Sequence, residues 1–190
     1  MAEGIRESKL QQLDTHLFYW LNKWSKDPIK HASVWISKTG DGPCYLAIGI
    51  LLWWFGEITG ERFFFSALMA YAFELPIYLI LKNLIKRHRP FNKLTAFRSH
   101  ISPSDKFSMP SGHTAAAFLF ATLIMTFYPT FSQIAFCWAS LVGISRVFLG
   151  VHFPGDVVVG ATLGVVSALL GIDIVSGFYS EMYSEIHSGI

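Results

Sequence analysis

The chain has 190 residues, 52% of them hydrophobic and only 15% charged, a balance too apolar for an ordinary soluble domain of this length. The bilayer is the natural solvent for such a sequence. The formal net charge of +2 says little by itself, no nucleic-acid partner is expected, and the lack of period-two alternation excludes a membrane β-barrel.

The start carries Glu3, Arg6, Glu7 and Lys9 rather than a basic start followed by an apolar core, so no cleavable signal peptide is expected. Leu10, Leu13, Leu17, Phe18, Trp20, Leu21 and Trp24 then recur at helical spacing, with Gln12, Asp14, Asn22, Lys23 and Lys26 between them. The preferred account is an amphipathic helix lying at the membrane surface; the alternative is a helix packed on the bundle. Asp27-Pro28 marks a break, a second short helix follows from Ile29 to Ser37, and Lys38 to Gly42 forms a turn.

Five apolar runs come next: Pro43 to Gly56, Phe63 to Ile85 with a break at Glu74 and Pro76, Ser111 to Tyr128, Phe131 to Gly150, and Pro154 to about Val175. A lone spanning helix needs about 20 mostly apolar residues, and the shorter or more polar runs suit a compact bundle with functional inner faces. The expected fold is therefore an all-α, multi-pass membrane bundle of about five transmembrane helices plus the amphipathic N-terminal segment. It forms one domain over 1–190, with the interfacial segment at 1–42 and the bundle at 43–175. Cys44 and Cys137 both fall within predicted membrane segments, so no disulfide framework is expected. Glu74 is costly in hydrocarbon and should face the bundle interior, protonated or paired. The tail from Ser176 reads as polar and frayed.

One connection is long and polar, residues 86–110, against ordinary connections of about 2 to 8 residues. Threading the spans brings this loop to the same membrane face as the C-terminus of span two, the N-terminus of span three and the junction of spans four and five. Lys82 and Arg89 are seven residues apart, which on a continuous helix places both on one stripe, about 10 Å apart. Pro90 biases Arg89 out of the helix, while Lys86, Arg87 and His88 read as interfacial anchors. Ser111 is placed to cap span three, with Gly112 admitting a ligand to the backbone and His113 in the first turn, where N–H groups and the helix dipole favour a phosphate. Arg146, close to the end of an apolar run, demands a polar cavity or an anion. His152 and Asp156 have the relation of an imidazole oriented by a carboxylate, which frees the other ring nitrogen to attack phosphorus.

The ordered set Lys82 with Arg89-Pro90, Pro110-Ser111-Gly112-His113, and Ser145-Arg146 with His152 and Asp156 resembles the three-part signature of the type 2 phosphatidic acid phosphatase superfamily. The resemblance covers residues 82 to 156 and shows no departure at these positions. It implies that His152 forms a phosphohistidine, Asp156 orients it and His113 protonates the leaving group, while Lys82, Arg89, Ser111, Gly112 and Arg146 hold the phosphate. It implies a membrane lipid phosphate or diphosphate as substrate, with undecaprenyl diphosphate, phosphatidylglycerophosphate and phosphatidic acid foremost. A phosphotransferase of the same family, or a carrier or flippase that binds the headgroup without cleaving it, are the competing readings. Acidic groups in the loop amount to Asp105 alone, so no metal ligand set and no cofactor are expected; oligomeric state is left open.

Thirteen of the fifteen Lys and Arg residues precede span one or lie between Lys82 and Lys106, which by the positive-inside rule puts the catalytic face in the cytoplasm. The resemblance implies the opposite: a bacterial inner-membrane protein with its active site on the outer, periplasmic face.

Overall fold

The computed structural model describes residues 8–94, 97–103 and 105–188; the charged start from Glu3 to Glu7 lies outside them. They form α1 (Lys9–Asn22), α2 (Asp27–Thr39), α3 (Gly42–Phe55), α4 (Glu57–Ile85), α5 (Pro90–Lys93), α6 (Gly112–Phe127), α7 (Ser132–Phe148) and α8 (Pro154–Ser188). Extended pairing among the described residues is limited to one bridge, His88 with Phe107. The protein is an all-α membrane bundle. Three helical stretches are long and apolar enough to cross a membrane, Glu57–Ile85, Pro129–Phe148 and Pro154–Glu185, with α3 and α6 as shorter apolar helices.

Helix α6 is the central post. It packs against α8, α7 and α4, and Ala115, Ala117, Leu119, Ala121 and Leu123 are wholly buried along it. Because neighbours rather than lipid surround it, its 16 residues need not match the bilayer thickness. Small residues permit the close approach: a Cβ on Gly164 of α8 would stand 2.1 Å from the Ala115 carbonyl oxygen, so only glycine fits that crossing. Aromatic side chains mark both membrane surfaces, with exposed Trp20, Trp24 and Trp35 on the side where α3 begins and Trp53, Trp54 and Phe55 where it ends, as interfacial belts require.

Three expectations change. Helix α4 runs unbroken past Glu74 and Pro76, because an interruption in hydrocarbon would leave several peptide groups unsatisfied, whereas Pro76 removes a single N–H. The predicted frayed tail is instead the last turns of α8, held against α4 by Tyr179, which donates to Glu61 at 2.6 Å and stacks under Arg62.

Helix α1, the third change, has three faces where two were read. Asp14, Phe18, Leu21 and Asn22 dock on the bundle, with Phe18 wholly buried against Phe97 and Phe153. Leu10, Leu13, Leu17, Trp20 and Trp24 stay exposed, about 100° around the helix at 100° per residue. The helix both packs on the bundle and presents an apolar face to the surface layer, so the two sequence accounts describe different sides of it.

Candidate active site

The ends of α4, α6, α7 and α8 that carry ionisable groups meet at one cavity of about 250 Å³, lined by Lys82, Arg89, Gly112, His113, Arg146 and His152 together with Ser37, Asp41, Tyr78 and Asp105. Six of the eight candidate residues reach it. Ser111 and Asp156 do not line it; both are fully buried behind its wall.

Lys82 and Arg89 converge by a route other than the helical stripe. Helix α4 stops at Ile85, Lys86 takes the left-handed conformation with φ 48°, and Arg89 is extended ahead of Pro90. A turn therefore aims Arg89 into the cavity, and Pro90 explains its extended backbone. Its Nη1 donates to the Val151 carbonyl at 2.8 Å and lies 3.4 Å from His152 Nε2.

The carboxylate of Asp105 sits between the two cations. Lys82 Nζ donates to its Oδ2 at 2.6 Å, Tyr78 donates to the same oxygen at 3.0 Å, and Arg89 Nη2 pairs with Oδ1. Burial by itself raises the Asp105 carboxyl, but hydrogen bonds from Lys82 and Arg89 outweigh it and hold the group down to about 2. The loop's one acid is thus engaged as an anion by the groups expected to grip phosphate.

Arg146 is different. Only 4% exposed, it donates through Nη1 to Ser37 at the end of α2, its Nε has no partner, and among the described residues no carboxylate pairs with it. A buried guanidinium without a counter-ion is expensive, and it faces the cavity.

Both imidazoles line the cavity. His152, in the turn between α7 and α8, is 2% exposed and presents Nε2 to the cavity, while Nδ1 faces Asp156 Oδ2 at 3.7 Å. That separation lets the charge act but is too long for a hydrogen bond. Burial pushes the His152 imidazole down to about 4, with Arg146 and Arg89 pushing the same way against Asp156, so the ring is neutral and carries a lone pair at ordinary pH. His113 Nε2 is 2.9 Å from Asp41 Oδ1, at the N-terminus of α3.

The start of α6 departs from expectation in one respect. The Ser111 N–H is not open to a ligand, since it donates to the Asp156 carbonyl at 3.0 Å, and the Ser111 hydroxyl accepts from Thr114 at 2.9 Å instead of capping the helix. The cause is the first turn of α8, which packs directly behind it. The N–H groups of Gly112 and His113 have no backbone acceptor outside the helix among the described residues, so they are the donors a phosphate would find there. Gly112 lies under the Tyr78 ring, where a Cβ would stand 3.0 Å from the nearest ring carbon.

Below the cavity, and sharing Asp41, Tyr78, Gly112 and His113 with it, opens an apolar groove of about 350 Å³ between α3, α4 and α6, lined by Tyr45, Leu46, Leu68, Tyr71, Leu75 and Phe120 among others. Glu74, 3% exposed, faces this groove, the inward placement expected of it.

A family model described as the PAP2 superfamily matches residues 62–179. The chain belongs to that superfamily. It is 31% identical over 197 aligned positions to phosphatidylglycerophosphatase B of Bacillus subtilis, covering 94% of this chain and 89% of that one. It is 34% identical to the bacitracin transport permease protein BcrC of Bacillus licheniformis over 66% of this chain, spanning 62% of that relative's length. Among solved structures, Aquifex aeolicus LpxE superposes with a TM-score of 0.77 at 26% identity, covering 85% of this chain and 95% of that one. The PAP2 match begins at Arg62, so α1 to α3, which supply Ser37 and Asp41 to the cavity, lie outside the matched residues.

Sequence reasoning missed Asp41, Tyr78 and Ser37 as neighbours of the site. Tyr78 had a legible signal, one turn before Lys82. Asp41 and Ser37 had none, because they come from a segment read as interfacial.

Proposed function

We propose that this PAP2 protein is a lipid phosphate phosphatase that hydrolyses a membrane lipid phosphate or diphosphate through a phosphohistidine on His152. One observation carries the reading: the buried guanidinium of Arg146, which no carboxylate pairs among the described residues, shares a cavity with two imidazoles and the cations Lys38, Lys82 and Arg89, and that cavity continues into an apolar groove. A headgroup phosphate supplies the missing negative charge, and an acyl or prenyl chain fills the groove.

His152 Nε2 attacks phosphorus, the bond from phosphorus to the lipid-side oxygen breaks, and His113 protonates that oxygen. Water, deprotonated by His113, then attacks the phosphohistidine and releases inorganic phosphate, returning His152 to its neutral form. Negative charge growing on the equatorial oxygens is met by Lys82, Arg89, Arg146 and the N–H groups of Gly112 and His113. Ser111 and Asp156 act from behind the wall, the first by holding the start of α6 against α8 and the second by orienting the imidazole. No metal enters these steps.

Undecaprenyl diphosphate is the first-choice substrate, followed by phosphatidylglycerophosphate, phosphatidic acid and lipid A, all of which pair a phosphate with long apolar chains. Detergent-solubilised protein offered these lipids at matched surface concentration, in excess chelator, is expected to release phosphate from at least one at the rate seen without chelator. Binding without release from any of them would move the protein to the carrier class, and activity lost with chelator would sink the metal-free scheme.

The catalytic face is proposed to lie outside the cytoplasmic membrane, where released lipid carriers are recycled, against the pull of the cationic loops. A periplasm-active reporter inserted between Lys93 and Arg98 should be active; activity of a cytoplasmic reporter at that point would reverse the orientation.

A further inference from the structure

Arg87 belongs to the same long connection as Arg89 but does not line the cavity. Its guanidinium, 13% exposed, forks between two carboxylates: Nη1 donates to Asp156 Oδ1 at 2.8 Å and Nη2 to Asp14 Oδ2 at 2.6 Å. The plane rests over the Phe153 ring at 4.3 Å. The other oxygen of Asp14 accepts the Gly155 N–H at 2.8 Å, and the other oxygen of Asp156 accepts the Phe153 N–H at 2.8 Å. Each oxygen of both carboxylates therefore has a donor. A Cβ on Gly155 would lie 2.7 Å from Asp14 Oδ2, so a larger residue there would push on the Asp14 carboxylate.

We infer that Arg87 and Asp14 are positioning residues for the phosphoryl-transfer step, with α1 completing the catalytic centre through the chain Asp14, Arg87, Asp156, His152. This rests on the reading of His152 as nucleophile. Asp156 is wholly buried, and a buried carboxylate stripped of its cation is strongly destabilised as an anion. Arg87 supplies that charge and, by holding Oδ1, leaves Oδ2 aimed at the imidazole, as outer-shell partners fix the groups that touch substrate. Asp14 in turn holds the second arm of the fork. Lysine keeps the charge but lacks the planar fork that fits the two carboxylates at once.

The inference predicts effects on turnover without effects on phosphate binding, since Lys82, Arg89 and Arg146 keep their contacts. Arg87→Ala should lower kcat on a cleaved lipid about 100-fold, with KM and the inhibition constant for inorganic phosphate moving less than about threefold. Arg87→Lys should recover part of the loss. Asp14→Asn, which keeps the size and an acceptor for Gly155, should lower kcat about tenfold, and the double variant Asp14→Asn with Arg87→Ala should be no slower than Arg87→Ala alone, because coupled residues are not additive. Multiplicative losses in the double variant, or phosphate inhibition weakening in step with kcat, overturn the inference. Should Arg87→Ala fail to fold, Asp14→Asn carries the test: unchanged kcat overturns the proposal. His152→Ala is run beside them. If it is inactive while Arg87→Ala and Asp14→Asn keep full kcat, the positioning role alone fails; if it stays active, the nucleophile reading fails and takes this inference with it.

Discussion

Replacing His152 with alanine is expected to lower phosphate release by about four orders of magnitude or more, the scale seen when a covalent nucleophile is removed. The side chain is 2% exposed, it lines the cavity, and Arg89 lies 3.4 Å from its Nε2, so alanine there removes the proposed nucleophile from beside the cations. Rapid quenching of the wild type with lipid labelled in the phosphate should trap an acid-labile, base-stable phosphoenzyme that the variant lacks. Equal turnover by both proteins would remove the covalent scheme. The same burial sets the acid limit of the reaction. Since the His152 imidazole is pushed down to about 4, its lone pair survives from neutrality to that pH, and kcat/KM should show no loss from this group as pH falls through 6.5, where an ordinary imidazole would protonate. Below about 4 the rate should drop tenfold per unit.

Arg146→Ala is the second large effect, an expected loss of about 100- to 1000-fold in kcat/KM, the range for removing one preorganised donor to a developing anion. Within the protein the guanidinium has the Ser37 hydroxyl as a hydrogen-bond partner, and among the described residues no carboxylate pairs with it. Stability should therefore change little, or improve, when a buried cation lacking a counter-ion is removed. Thermal unfolding in detergent together with kinetics checks both halves, and a stability loss that accounts for the missing activity would contradict them. Asp105 should show the opposite sign. Its carboxylate occupies Lys82 and Arg89, so an incoming phosphate must displace it, and Asp105→Asn should tighten inhibition by inorganic phosphate about tenfold, roughly the worth of one charge-assisted hydrogen bond. Weaker inhibition would make Asp105 a support for the cations.

The length of the apolar runs made the bundle legible. The apolar run Pro43 to Gly56 became Gly42–Phe55 and Ser111 to Tyr128 became Gly112–Phe127, because hydrocarbon forces a helix wherever apolar length permits one. The start of α4 was set six residues late, since Glu57, Glu61 and Arg62 read as loop residues until packing against α8 is seen. Lys82 and Arg89 were expected at one site and do line one cavity, but they reach it by another geometry. Their spacing suits a continuous helix, but a left-handed residue at Lys86 ends it, and nothing local in the sequence announces that turn.

Composition and order along the chain were enough to establish a membrane-spanning all-α protein with most of its cations, and the candidate histidines His113 and His152, at one membrane face, because both follow from hydropathy and from counting crossings. Which of those groups meet was decided only in three dimensions. Asp105 between two cations, Arg87 forked between Asp14 and Asp156, Asp41 beside His113 and Ser37 on Arg146 join residues up to 109 positions apart. Such pairs arise because buried charge must find a partner wherever the fold brings one, and no periodicity along the chain encodes that choice.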